Sequence, residues 1–366
     1  MNFINRSYVF PVFLTLGMIA GTLGFSTILV KNRVGINDQQ LFLQRHALPA
    51  SSKQLFKSFF KTHKLDPSLF TLTEKELEQR LTDLGFERTA TGSNSLVMRC
   101  PEQLGNFVVK APGRFHEVTR AVVDKPLENI SRAQGADRIN EYAHQAGVKS
   151  VKAVDEYLFH VPGAPKELSD YNYLVVEPYL DLDQKKSFDD FSYEQFKETV
   201  DIIDAVQYGD THSDNIVLDQ QGIVYFLDTS QRDYLAAYKN LPSALYFSDG
   251  SESDDDQLEI ASCVSNEEQL IESMKASVDP MHLVAAQKAS TKLDVIFHGL
   301  MPLCKEKIDV AKRAYLQEKV DKLVKEVEFL VEPFKSSQAF ETTEPHSKSL
   351  HEAIQATFAQ SNLHAA

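Results

Sequence analysis

Tyr208–Asp228 reads YGDTHSDNIVLDQQGIVYFLD. An acid on a polar loop, Asp210, is followed five residues later by Asn215 and eighteen residues later by Asp228. Between the last two, the β-prone runs Ile216–Leu218 and Ile223–Leu227 flank the turn-forming Asp219–Gly222, which is a hairpin pattern. A hairpin reverses the chain, so Asp228 returns to the side of the loop that carries Asp210 and Asn215. Two carboxylates and a carboxamide on one rim suit a reaction in which one acid orients or deprotonates a hydroxyl while oxygen ligands hold Mg²⁺ against phosphates.

Outward from this stretch, the periods of the chain alternate. A helix over Tyr193–Gln207 leads into the loop, and strands over Val151–Phe159 and Tyr173–Glu177 enclose the loop Pro162–Asp170. Before them, Ala133, Ala136, Ile139, Ala143 and Ala146 give one apolar face to a helix over Leu127–Ala146, stopped by Gly147. Ser95–Arg99 and Asn106–Lys110 read as antiparallel strands about Pro101–Gly105. Two amphipathic helices precede them, one with the stripe Leu55, Phe56, Phe59 and Phe60. The other carries Leu77, Leu81 and Leu84 between the capping box Thr73/Glu76 and Gly85. Residues 34–50 read as a polar tether. Downstream, residues 249–259 hold six acids and no base and read as a solvated loop. Leu316, Val320, Leu323, Val327 and Leu330 mark a helix that packs on its own domain and that Pro333 should end, before a polar tail.

The 366 residues carry 38 Lys+Arg against 52 Asp+Glu, a net charge of −14, with 43% hydrophobic and 25% charged residues. This is a globular composition with room for about two compact units. Its acidity, without a dense basic cluster, excludes a nucleic-acid backbone as the expected partner. Cys100, Cys263 and Cys304 are odd in number and far apart, so neither a disulfide framework nor a metal knuckle is expected. Tyr8–Val30 is a 23-residue run without a formal charge, long enough to span a bilayer as a helix. A cleaved signal peptide is the rival reading, but the run is longer than a signal's apolar region and no A-x-A-like site precedes Lys31-Asn32-Arg33. Gly17 and Gly21 form a G-x-x-x-G pair within it.

Gly209, Asp210, His212 and Asn215 resemble the catalytic loop H-G-D-x-H-x-x-N of the protein-kinase-like superfamily, nearest its aminoglycoside-phosphotransferase-like branch. Asp228 stands at that superfamily's metal-acid position, thirteen residues beyond the asparagine. Asn106–Lys110 resembles the strand whose lysine holds the nucleotide phosphates, acting there and not in the core. Tyr173–Tyr179 resembles the strand and hinge that bind adenine, which implicates Glu177 and Tyr179. For the lysine's partner the resemblance points to Glu128, eighteen residues on, with Asp137 and Glu141 as competitors. There are departures: Tyr208 replaces the first histidine, Asp228-Thr229-Ser230 replaces D-F-G, only Gly92 marks the phosphate loop, and no A-P-E follows.

The resemblance implies an α+β, two-lobed kinase-like fold, to which the apolar run adds an N-terminal transmembrane helix and the downstream helical pattern an α-helical C-terminal extension. The expected divisions are 8–30 (membrane helix), 36–85 (helical extension), 86–180 (small lobe and hinge), 181–335 (large lobe) and 336–366 (polar, mobile tail). It further implies ATP and Mg²⁺ as cofactors, Asp210 as base, and Asn215 and Asp228 as metal ligands. Lys110 would clamp phosphate beside Glu128, Glu177 and Tyr179. The expected activity is phosphate transfer to a hydroxyl of an unspecified protein or small-molecule acceptor by a single-pass membrane protein whose core faces the cytoplasm. A pseudokinase or scaffold that binds nucleotide or partners without turnover is the alternative.

Overall fold

The computed structural model describes residues 36–91, 95–112, 128–166, 172–182, 188–209, 211, 213–229, 271, 274–275, 280–337 and 354. The apolar run 8–30, Gly92, the acidic stretch 249–259, Asp210 and His212 lie outside them. Among the described residues no helix is long and apolar enough to cross a membrane.

The described residues form a mixed helix-and-sheet fold. Three helices open it: α1 (Ile36–Arg45), α2 (Ala50–Thr62) and α3 (Glu74–Thr82). Next come β1 (Glu87–Thr91), β2 (Ser95–Arg99) and β3 (Phe107–Pro112), then α4 (Glu128–Ala146), β4 (Val151–Ala153), β5 (Tyr157–His160) and β6 (Tyr173–Pro178). After α5 (Tyr193–Val206) the hairpin β7 (Ile216–Leu218) and β8 (Val224–Phe226) forms. The helices α6 (Pro280–Asp294), α7 (Met301–Lys305) and α8 (Val310–Ser337) close it, with a π-helical turn, Val295–Leu300, between α6 and α7. One sheet is antiparallel in the order β1-β2-β3-β6-β5; the other has the order β4-β8-β7, with β4 parallel to β8.

The period-2 alternation of β3 and β6 assigns their side chains to opposite faces. Val109, Ala111, Leu174 and Val176 enter a core with Phe56, Phe60 and Phe159. The rings of Phe56 and Phe60 lie 5.3 and 4.9 Å from that of Phe159, so α2 and α3 roof this face and share one core with the sheet. Burying each such ring contributes about 1.5–3 kcal/mol. The α3 capping box is present, and Gly85 takes the left-handed φ of +90° that ends the helix. The other sheet face carries Lys110, Val175 and Glu177 toward α4. A second core joins α5, the β7–β8 hairpin and α6–α8.

Several expectations are corrected. The expected polar tether contains α1, docked through Phe42 and Leu43 on the cluster Ala133, Leu158, Tyr173 and Val175. Of the two helical stripes, Leu55 and Ala146 are exposed. The run Val151–Phe159 is two strands in different sheets. Val154 N–H still reaches Phe226 O at 3.2 Å, whereas Leu158 N–H turns to His46 O at 2.8 Å, and the chain crosses between sheets at Asp155 and Glu156. Pro333 lies inside α8, which continues to Ser337. The carbonyl that loses its donor belongs to Phe329, which is 78% exposed, so water can replace the missing bond. Ile354, within the expected mobile tail, is buried in the second core.

Candidate functional site

Lys110 projects from β3 and Glu177 from β6 onto the same sheet face. Their register, Lys110 opposite Val175 and Val108 opposite Glu177, makes them diagonal neighbours. Lys110 Nζ lies 2.5 Å from Glu177 Oε1 and donates to Leu227 O at 2.6 Å, tying the five-stranded sheet to the end of the β7–β8 hairpin. Both side chains are buried. Burial opposes the charge on Lys110, but Glu177, with smaller help from Glu156 and Asp228, outweighs it and holds its pKa above the usual lysine value. Burial also pushes Glu177 above the usual carboxylate range, against the pull of Lys110.

The hairpin register sets Ile216 opposite Phe226, and Leu227 N–H donates to Asn215 O at 2.8 Å. Asn215 therefore stands one residue from Asp228 across the ladder. Arg132 of α4 grips Asp228 with both ends of its fork, Nε to Oδ1 at 3.1 Å and an Nη to Oδ2 at 3.2 Å. Arg132 is buried, while the Asp228 side chain keeps 22% of its surface. Tyr208 donates its hydroxyl to the Asp228 carbonyl and meets Phe226 edge-on at 5.0 Å, so its ring and hydroxyl together steady this backbone.

Behind Asp228 lies a third carboxyl, Glu156. Thr229 Oγ1 is 2.7 Å from Glu156 Oε1 and 2.7 Å from Arg132 O. The Thr229 hydroxyl has one proton to share between these two acceptors. Burial, reinforced by the Glu177 charge, pushes the Glu156 pKa up to about 8, against the pull of Lys110 and Thr229. Its Oε2 has no hydrogen-bond partner among the described residues.

This shift is testable. Because the folded pKa of Glu156, about 8, exceeds its ordinary 4.5, the folded state keeps a proton that the unfolded chain has released. Stability from this group therefore falls as pH rises from about 4.5 to about 8, and the full penalty is present above that. Glu156→Gln supplies the donor without a charge. Chemical unfolding should show it near wild type at about pH 5 and more stable by on the order of 2–4 kcal/mol at pH 8 and above. A pH-independent difference would show that Glu156 is not the buried acid described.

Close packing brings α4 to this segment. A Cβ on Gly135 would stand 1.9 Å from Thr229 O, an approach only glycine permits. Gly135→Ala gains about 1 kcal/mol of helix propensity but must push α4 away from Thr229, so a net loss of about 2 kcal/mol is expected in a urea unfolding curve. A stabilised variant would mean that α4 is free to move outward.

The other candidate residues are placed as follows. Tyr179 N–H donates to Asn106 O at 3.0 Å, and its ring lies under the Arg99 guanidinium at 4.2 Å. Glu128 is the first residue of α4, and its side chain lies outside the described residues, as does Asp210. Asp137 accepts from Arg45 at 2.9 Å and lies 3.1 Å from His46 Nε2, while Glu141 accepts from Gln145 at 3.1 Å. His46 also donates through Nδ1 to Glu156 O at 2.8 Å, so α1 braces both α4 and the Glu156 corner.

The structure thus unites Lys110 with Glu177 and Asn215 with Asp228. Sequence reasoning missed Arg132, Glu156, Thr229 and Gly135. Two carried a signal: Arg132 lies seven residues before Ile139 on the inward helix face, and Gly135 is a glycine inside a helix.

Among the described residues no three His, Cys, Asp or Glu side chains gather to hold a metal. The pair Asn215 and Asp228 still fits Mg²⁺, which is commonly bound by one or two protein oxygens plus phosphates and water. Arg132 takes one lone pair on each Asp228 oxygen and leaves another.

No family model matches the chain, and no curated protein matches it significantly. Among solved structures it is similar to the MAP kinase LmaMPK10 from Leishmania major, with a TM-score of 0.28 and 11% identity over 79% of this chain and 98% of that chain. So loose a likeness carries no argument, and the site is read from its own geometry.

Proposed function

We propose that the chain is a membrane-anchored atypical kinase that transfers phosphate from Mg-ATP to a hydroxyl of a protein or small-molecule acceptor. The observation that carries this reading is the buried Lys110–Glu177 pair, with Lys110 bonded to Leu227 O, beside a hairpin that sets Asn215 one residue from Asp228 across the ladder. Lys110 is the cation for the nucleotide phosphates, and Asn215 and Asp228 are the oxygen donors for Mg²⁺. Glu177 orients Lys110, Glu128 and Tyr179 border the nucleotide, and Asp210 is the base. The acceptor oxygen attacks the γ-phosphorus, its proton passes to Asp210, and the bond to the β–γ bridging oxygen breaks to release ADP. Residues 8–30 anchor the chain, with Lys31 and Arg33 beside the run and the core on the cytoplasmic, ATP-containing side.

A second reading, nucleotide or partner binding without turnover, is favoured by one observation: both oxygens of Asp228 already accept from Arg132. Full-length protein in detergent, incubated with γ-labelled and α-labelled ATP and Mg²⁺, separates the two. Label transferred from γ alone supports the kinase. Transfer from α would replace it with nucleotidyl transfer, and Mg²⁺-dependent binding without any transfer would favour the second reading.

A further inference from the structure

The 27 residues 39–65 carry five lysines and arginines and no acid, in a chain whose net charge is −14. Four of the five, Lys53, Lys57, Lys61 and Lys64, are exposed and make no ion pair among the described residues. Lys53, Lys57 and Lys61 recur every fourth residue, so they climb one side of α2 as like charges that repel one another. Lys64 follows the helix with a left-handed φ of +52°, where glycine is the unstrained choice. Leu65 N–H closes that turn on Phe60 O at 2.8 Å and aims the chain back at the sheet.

The turn builds a concave site. Lys57, Lys61 and Lys64 rim a cavity of about 520 Å³ floored by Phe60 and Leu65, with His160 on its far wall. The acid at its edge, Asp66, already accepts from Ser68 N–H at 2.9 Å and from the Ser68 hydroxyl at 2.5 Å. His160 Nε2 donates to Pro165 O at 3.0 Å. An apolar floor under a ring of ammonium groups, with its nearby carboxylate engaged, suits a phosphate-bearing headgroup.

Chain connectivity selects the source of that phosphate. The apolar run ends at Val30 and α1 begins at Ile36, a link of five residues whose six Cα–Cα steps reach at most roughly 20 Å. Helix α1 adds about 15 Å before α2 begins. Basic residues this close to a membrane helix meet the negative surface potential of an anionic leaflet.

We infer that the face formed by Lys53, Lys57, Lys61 and Lys64 docks on anionic lipid headgroups of the membrane that residues 8–30 enter. The inference rests on the anchor reading and extends it: docking fixes the orientation of the kinase-like core, because α2 is bonded by packing to Phe159 of the sheet.

Full-length protein is reconstituted in nanodiscs of phosphatidylcholine alone or with roughly one-third phosphatidylserine, and labelled with an amine-reactive reagent. Labelling of Lys57, Lys61 and Lys64 is expected to fall several-fold in the anionic discs, while Lys149 and Lys288, exposed elsewhere, stay constant. High salt should remove the protection. In Lys57→Glu/Lys61→Glu, Lys64 should lose its lipid dependence. Equal labelling in both lipids overturns the inference. So does protection in neutral discs on adding inorganic phosphate, which would assign the cavity to free phosphate. Recovery of the intact chain outside the discs overturns the anchor reading and this inference with it, a result separate from the labelling.

Discussion

Lys110→Ala is expected to destabilise the protein by about 3–5 kcal/mol at neutral pH, the usual consequence of stranding one half of a buried ion pair. Glu177 is only 4% exposed, and among the described residues its short contact to a cation is Lys110 at 2.5 Å. Removing the ammonium also takes the donor from Leu227 O, so the five-stranded sheet and the β7–β8 hairpin lose this tie. Glu177 can escape by taking a proton, which makes the loss pH-dependent: it should shrink as pH is lowered toward about 5. Lys110→Met combined with Glu177→Gln should recover most of the stability, because two neutral side chains of similar volume leave no unpaired charge. Urea unfolding of the single and double variants at two pH values measures all of this. If Lys110→Ala were as stable as wild type at both, the pair would be a surface contact.

That result bears on how the sequence can be read. From its motif Lys110 is a residue that acts on phosphates alone; the alternation of β3 makes it also part of a buried charge cluster. The helices over Tyr193–Val206 and Glu128–Ala146, the capping box at Thr73 and the β7–β8 hairpin were legible because each is specified by residues within one or two turns. The split of Val151–Phe159 was not, since both halves have the same period and only their partners, β8 and β6, distinguish them. Helix α1 was hidden for a similar reason: its order comes from Asp137 and Glu156, more than 90 residues away. At the site, Asn215 and Asp228 followed from spacing. Glu156 did not, because the burial and the Glu177 charge that raise its pKa arise only in the fold.

Asp228 carries the largest expected effect on activity. As a metal donor it should be needed for most of the Mg²⁺-dependent thermal shift with ATP, and that shift should vanish in Asp228→Asn. Asparagine is the informative change, since Asp228→Ala also removes both carboxylate oxygens that the buried Arg132 guanidinium grips and should lower folding stability as well. Asp210→Asn, in contrast, should keep the shift and lose turnover by roughly 10²–10⁴-fold, the scale of a lost base. Arg132 then decides between the two functional readings. In a kinase its fork holds Asp228 in the orientation the metal requires, so Arg132→Met should lower turnover and weaken the Mg²⁺-dependent shift. In a protein that binds without turnover the fork competes with Mg²⁺ for the carboxylate, so the same substitution should enlarge the shift. Melting curves with ATP, with and without Mg²⁺, read both signs. A full Mg²⁺-dependent shift in Asp228→Asn would remove Asp228 from the metal site and end the reading built on the loop, the hairpin and the second acid.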